Sequence, residues 1–274
     1  MWATHRRVHF GVLISLYTLG MVEGTMERVE PIRIQDHPLL LRLQAGGEGV
    51  EKEYELERRF LPARQPSPEE LVKMDEREIE QAYVTTVDEH GKLHTTRLRR
   101  TFHKGAEGHK LRIAEKKPIK HTRAKLEYQI KLSPDDEFAR EFELLWQQRD
   151  REFAITPKTR KYELVPVQYT DLKTREMKDG TCEIHHDTHH AEIEGLGRIE
   201  VEYKGGDPDA LEAYITAQGH RNFLPDWLGK DISDEDWFGG KNIARSLALI
   251  QKGDFSPEKV QKLLAEMERQ KSLR

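Results

Sequence analysis

Side chains along a β-strand alternate between its two faces, so odd and even positions can be sorted directly from the sequence. Glu53, Glu55, Glu57 and Arg59 share one face of a predicted strand; Tyr54, Leu56 and Phe60 take the other, with Arg58 breaking the apolar pattern. Arg97 and Arg99 lie with Thr95 and Thr101, against Leu98 and Phe102. A third strand sets Arg123, Lys125, Glu127, Gln129 and Lys131 against Ala124, Leu126, Tyr128 and Ile130. A fourth sets Arg198, Glu200, Glu202 and Lys204 against Ile199, Val201 and Tyr203. Helices interleave with these strands. Ser67-Pro68-Glu69-Glu70 and Ser133-Pro134-Asp135-Asp136 each place a capping serine before proline and acids, and both predict helix starts. After the second, Phe138, Phe142, Leu145 and Trp146 form one apolar stripe. Further helices are predicted over 208–218, with Asp207 as cap, over 242–251 and over 257–271. Turns are expected at His90-Gly91, Gly105 to Gly108 and Asp179-Gly180.

Composition sharpens the pattern. Of 274 residues, 34% are charged and only 36% hydrophobic, with a net charge of −4, so the charge must serve more than an ordinary surface. The near balance of acids and bases argues against a nucleic-acid duplex as partner. The single cysteine, Cys182, excludes an intramolecular disulfide, fits a reducing compartment and reads as a small apolar strand residue. Arg6 and Arg7 precede an apolar run from Phe10 to Val22. That run resembles a signal peptide without a clear cleavage site, is too short and interrupted to span a bilayer, and competes with a start at Met26. Cytoplasmic localisation is the expectation, with export left open. Residues 1–50 read as an extension ending in the flexible stretch Ala45 to Gly49, residues 51–253 as the domain proper, and 254–274 as a C-terminal amphipathic helix.

An ionic strand face has two readings. A half-buried antiparallel sheet turns its polar face to water. Alternatively the sheet curls shut, apolar side out under the helices and ionic side in around a ligand; acids on the first and last strands with arginines between suit that second reading.

Tyr54-Glu55-Leu56-Glu57-Arg58-Arg59-Phe60-Leu61 resembles the opening strand of the CYTH family, the triphosphate tunnel metalloenzymes, whose hallmark is Glu-x-Glu-x-Lys. In the same order, Ile79 to Tyr83 is similar to the family's second strand, Arg97-Leu98-Arg99 to its Arg-x-Arg strand and Lys158-Thr159-Arg160 to its Lys-x-Arg strand. Gly195 to Glu202 resembles its closing Glu-x-Glu strand, and Trp227 to Ser233 the segment that follows. The resemblance spans residues 51–250.

It implies an α+β fold: a closed antiparallel β-barrel of about eight strands, a tunnel, with helices packed outside. It also implies metal-dependent hydrolysis of inorganic or organic triphosphate with Mg2+ or Mn2+. Glu55, Glu57, Glu200 and Glu202 offer the carboxylate oxygen that hard cations prefer. Arg59, Arg97, Arg99, Lys116, Arg123, Lys158 and Arg160 are then the expected phosphate-binding cations. Glu57, Glu127 and Glu202 are the expected catalytic carboxylates, Glu127 and Glu202 as candidates for orienting water. Glu127 reads equally as an ion-pair partner of Arg123 or Lys125.

Arg59 replaces the family's lysine, which keeps the charge and excludes acid-base use. Leu111-Arg112-Ile113-Ala114 lacks the family's lysine, with Lys116 as replacement on the same face. Arg123 to Glu127 has one carboxylate fewer, and His185 stands where an aspartate is usual. His185, His186, His189 and His190 invite a transition-metal site, but His185 and His186 point to opposite faces and the one nearby cysteine, Cys182, lies on the apolar face, so a polar loop is favoured. The expected partner is a small phosphorylated molecule. A binding-only module for polyphosphate or nucleotide and a class IV-type adenylate cyclase are the alternatives.

Overall fold

The computed structural model describes residues 30–103 and 108–273. The alternating strands close into a ring. β1 (Ile32–Arg33) and helix α1 (Pro38–Ala45) precede β2 (Glu51–Pro62), α2 (Pro68–Val72), β3 (Asp75–Val87), β4 (Leu93–His103), β5 (His109–Pro118) and β6 (Lys125–Leu132). Then follow α3 (Ala139–Gln147), β7 (Thr156–Thr170), β8 (Met177–His189), β9 (Gly197–Lys204), α4 (Pro208–Gln218), β10 (Leu228–Asp231), α5 (Gly240–Gln251) and α6 (Glu258–Lys271). Eight strands pair antiparallel in the order β3-β4-β5-β6-β2-β9-β8-β7, and β7 pairs back onto β3. Closure removes the sheet edges that would otherwise need protection. β1 adds parallel to β3, and β10 antiparallel to β2.

The apolar face points outward, under the helices. Leu211 and Ile215 of α4 pack with Ile184, Ile199 and Val201 of the barrel; α1 and α3 bring Leu39, Leu43, Phe142 and Leu145 onto Leu98, Ile113 and Ile130. Helices α5 and α6 form a third cluster through Ile243, Leu247, Val260 and Leu263. Arg58, the exception to the apolar pattern, reaches α4 and β10: its Nε donates to Glu212 at 2.6 Å and its Nη1 to Asp231 at 2.8 Å. Gln270 of α6 is fully buried and bonds both backbone groups of Gly197, at 2.6 and 3.0 Å, fixing the start of β9.

Several local expectations change. Ser67 caps α2 with the reciprocal Glu70 contact, and Asp207 caps α4. Ser133 does not cap α3: the chain makes a turn first, Asp136 Oδ1 accepting from Phe138 N at 2.9 Å, and the helix opens at Ala139. Asp179-Gly180 is not a turn. Gly180 lies within β8, where a Cβ would come within 2.7 Å of Leu211, so the glycine admits α4. The reversal falls earlier, where Asp171 Oδ1 accepts from Lys173 N and Thr174 N. The histidine-rich stretch is strand rather than polar loop as far as His189, because β7 pairs with it on one side and, up to Thr188, β9 on the other; His190 lies just past the strand. The compact body starts at Pro31, before the expected Glu51, since α1 buries Leu39, Leu40 and Leu43 on the barrel. The predicted turn over Gly105 to Gly108 falls largely outside the described residues. So does the apolar run Phe10 to Val22. Among the described residues, no helix is long and apolar enough to cross a membrane.

Candidate functional site

The inward face of every barrel strand lines one cavity of about 640 Å³. Strand parity puts Glu53, Glu55, Glu57 and Arg59 of β2 into it, with Arg97 and Arg99 of β4, Arg112 and Lys116 of β5, and Lys125 and Glu127 of β6. Lys158 and Arg160 of β7, Glu183 and His185 of β8, and Arg198, Glu200 and Glu202 of β9 complete the charged lining.

One part of the lining is acidic. Carboxylate oxygens of Glu55, Glu57 and Glu202 lie within 4.8 Å of one another. Lys116 pairs with Glu55, and its Nζ stands 3.6 Å from Glu57 and 3.5 Å from Glu127; Lys125 Nζ is 3.4 Å from Glu57. Burial, reinforced by Glu57, Glu202 and Glu127, pushes Glu55 up to about 7 against the pull of Lys116. Burial acts on Glu57 too, but Lys116 and Lys125 prevail and hold it at about 2. Crowded buried carboxylates share protons when no cation separates them. Glu55 Oε2 is buried with no hydrogen-bond partner. An all-oxygen set with an orphaned carboxylate oxygen fits a hard divalent cation. A second group, Glu183, His185 and Glu202, also has ligand-type atoms within 4.8 Å. There Arg160 Nη1 lies 3.0 Å from His185 Nδ1, so Nδ1 accepts, leaving Nε2 to donate to Glu183 at 3.1 Å.

A second part is self-neutralised. Asp187, fully buried, takes Lys158 Nζ at 2.5 Å, Arg160 Nε at 2.6 Å and Arg198 Nη2 at 3.2 Å. Glu200 takes Arg160 at 2.6 Å and Arg198 at 2.7 Å. Burial alone would raise the Asp187 carboxyl; Arg160 and Lys158 hold it well below its ordinary range.

The third part is cationic. Arg97 Nη2 bonds Glu127 at 2.6 Å, but Arg99 reaches only Gln81, at 3.0 Å, and Arg112 has no carboxylate partner among the described residues. Arg99 is 8% exposed, and burial followed by Arg97, Arg160 and Arg112 drives its guanidinium well below the ordinary value. The same forces lower Arg112.

Of the expected site residues, only Arg123 falls outside the cavity. Its strand begins at Lys125, so Arg123 sits in the preceding hairpin and pairs with Asp234 at 3.0 Å. Glu127 pairs with Arg97 and Lys116 instead of Arg123 or Lys125. Glu200 lies apart from the carboxylate triad, held by arginines. Arg59 lines the cavity and donates to Ser233 O at 2.8 Å. Sequence reasoning assigned no role to Arg112 or Arg198, although both share parity with assigned neighbours.

No family model and no curated protein matches the chain. Among solved structures, the PH1819 protein of Pyrococcus horikoshii OT3 is 17% identical, covering 65% of this chain and 92% of its own at a TM-score of 0.38. The PH1012 protein of the same organism is 15% identical, covering 64% and 94%, with a TM-score of 0.34. A Bacillus halodurans protein provisionally called an adenylate cyclase is 14% identical, covering 67% and 98%, with a TM-score of 0.35. The fold and the cavity stand on the closed ring itself.

Proposed function

We propose that the tunnel binds the phosphate chain of a triphosphate-containing molecule together with a divalent cation, and hydrolyses its terminal phosphate. One observation carries this reading: a clustered carboxylate triad and the guanidinium groups of buried Arg99 and half-buried Arg112, which have no carboxylate partner among the described residues, line the same cavity. Uncompensated buried charge is costly, and a polyanion bridged by a cation would answer both signs at once.

Glu55, Glu57 and Glu202 would hold the cation; Mg2+ or Mn2+ bound there would draw charge from phosphate oxygens and help form the nucleophile. Arg97, Arg99, Arg112 and Lys116 would take phosphate oxygens, the arginines through forked hydrogen bonds. Glu127 fixes Arg97 and Lys116 in place, and Glu202 is the candidate to orient water. In the reaction, water oxygen bonds to the terminal phosphorus, the bridging P–O bond breaks, diphosphate leaves, and the water proton passes to a carboxylate.

A second reading, binding without turnover, draws on the closed state of Lys158 and Arg160, which already spend their charge on Asp187 and Glu200. Phosphate release from tripolyphosphate, ATP and thiamine triphosphate, with and without Mg2+ or Mn2+, separates the two. Metal-dependent release that falls at least ~100-fold in Glu57→Gln is expected, the scale of losing a charge-stabilising group. Tight binding with no release favours the module, cyclic AMP with diphosphate from ATP favours a cyclase, and full activity in Glu57→Gln removes the carboxylate assignment.

A further inference from the structure

Past Glu57 along β2, the cavity meets the first turn of α5. Gly239, Gly240, Lys241 and Asn242 line it there. The helix is 12 residues long, with Gly239 at its N-cap and no side chain capping it. The N–H groups of Gly240, Lys241 and Asn242 therefore lack the acceptors that a helix interior supplies. The Asn242 amide instead donates to Asp236 O at 2.6 Å, and Lys241 Nζ to Thr95 Oγ1 at 2.7 Å. Asp236 also lines the cavity at this turn and is exposed.

The surroundings point to an anion independently. A Cβ on Gly240 would lie 2.9 Å from Tyr83 Oη, 3.4 Å from Gln81 Nε2 and 3.9 Å from Arg198 Nη1; one on Gly239 would lie 3.3 Å from Arg59 Nη1. Gln81 links this cradle to Arg99, whose Nε is buried without any partner. A buried guanidinium nitrogen left unsatisfied in the same cavity as open helix N–H groups is what an oxyanion would satisfy.

We infer that the first turn of α5 is an anion subsite that seats the bare end phosphate of the bound polyphosphate. Its donors are the N–H groups of Gly240, Lys241 and Asn242 with the Arg99 guanidinium. This rests on the tunnel binding a polyphosphate at all. Glycine at 240 lets Tyr83 Oη and Gln81 Nε2 close onto the turn, where a Cβ would collide with them; so tightly packed a turn has room for an unsubstituted phosphate, and any organic substituent occupies the other end of the chain. Inorganic tripolyphosphate and nucleoside or thiamine triphosphates all meet that requirement.

The test compares Lys241→Pro with Lys241→Ala. Both remove the lysine side chain, and only proline removes the N–H; the preceding residue is glycine, which relaxes the usual clash before proline, and the first turn accepts proline. Tripolyphosphate affinity by calorimetry is expected to be about tenfold weaker in the proline variant than in the alanine variant, the worth of one charge-assisted hydrogen bond. In wild-type 15N-labelled protein, the amide resonances of Gly240, Lys241 and Asn242 are expected to shift on titration with tripolyphosphate. Amides unmoved at saturation, or equal affinities in two folded variants, overturn the subsite and leave the tunnel reading intact. No tripolyphosphate binding by wild type overturns both.

Discussion

Lys158, Arg160 and Arg198 form one set of tunnel cations, all buried, and Arg97, Arg99 and Arg112 another, of which Arg99 is buried and the other two half-buried; what most separates them is the charge that answers them. The first set closes on Asp187 and Glu200 through contacts of 2.5 to 3.2 Å. In the second, Glu127 answers Arg97, while Arg99 and Arg112 have no carboxylate partner among the described residues. Cations on the same inward face of the barrel thus serve two ends. The closed set braces β7, β8 and β9 against one another. The open set is costly in the free protein and becomes favourable when an anion arrives. Counter-charge, more than position, separates structural ions from ligand-binding ones.

Asp187→Asn should give the largest stability effect, because it strands three buried cations with one carboxylate. Removing one partner from a buried ion pair costs about 3–5 kcal/mol. In a body of this size that is a melting temperature lower by roughly 6–20 °C. A change of under about 2 °C would mean that the closed set does not brace the fold.

Acid should attack the same region. His189 is 1% exposed, and burial, with Lys158 and Arg198 nearby, draws its imidazole down to about 3. The unfolded chain takes up that proton below its ordinary pKa of about 6.5, before the folded chain can, so stability is lost as pH falls. Each pH unit below 6.5 costs about 1.4 kcal/mol, hence about 2 kcal/mol by pH 5. Melting curves from pH 7 to 5 should decline less in His189→Asn than in wild type; parallel curves would remove His189 as the cause.

Arg99→Met and Arg112→Met probe the open set. Each should leave the melting temperature unchanged or raised, since a charge without a carboxylate partner, buried at Arg99 and half-buried at Arg112, disappears, while tripolyphosphate affinity falls about tenfold. Destabilisation on the scale expected of Asp187→Asn would erase the distinction between the two sets.

Much of this arrangement was legible because strand parity is local. Glu55, Glu57 and Arg59 could be placed on one face, and Cys182 and His186 on the opposite face from His185, before any pairing was known; His186 indeed packs edge-on against Trp227. Arg112 stands in a segment that departs from the family pattern by an absent lysine, which hides its role in the sequence although Arg112 and Lys116 share parity. The Asp187 network was not legible in detail, since it needs residues from three strands in register. Gly180 misled for the same reason: its neighbour Leu211 lies in a later helix, and a glycine accommodating distant packing reads locally as a turn.

Arg123 gives the smallest effect and the cleanest control. By charge and proximity to β6 it qualifies as a tunnel cation, yet its side chain is 46% exposed and pairs with Asp234, itself 80% exposed. Exposed pairs contribute about 0–1 kcal/mol, because water screens them and two flexible side chains must be ordered to make them. Arg123→Ala should therefore shift the melting temperature by under about 2 °C and leave tripolyphosphate affinity within about twofold of wild type. A tenfold loss would mean that the hairpin between β5 and β6 folds over the cavity when ligand binds. The boundary of the open set would then extend beyond the residues lining the free tunnel, and Arg123 would join Arg99 and Arg112 as a cation whose partner is the ligand.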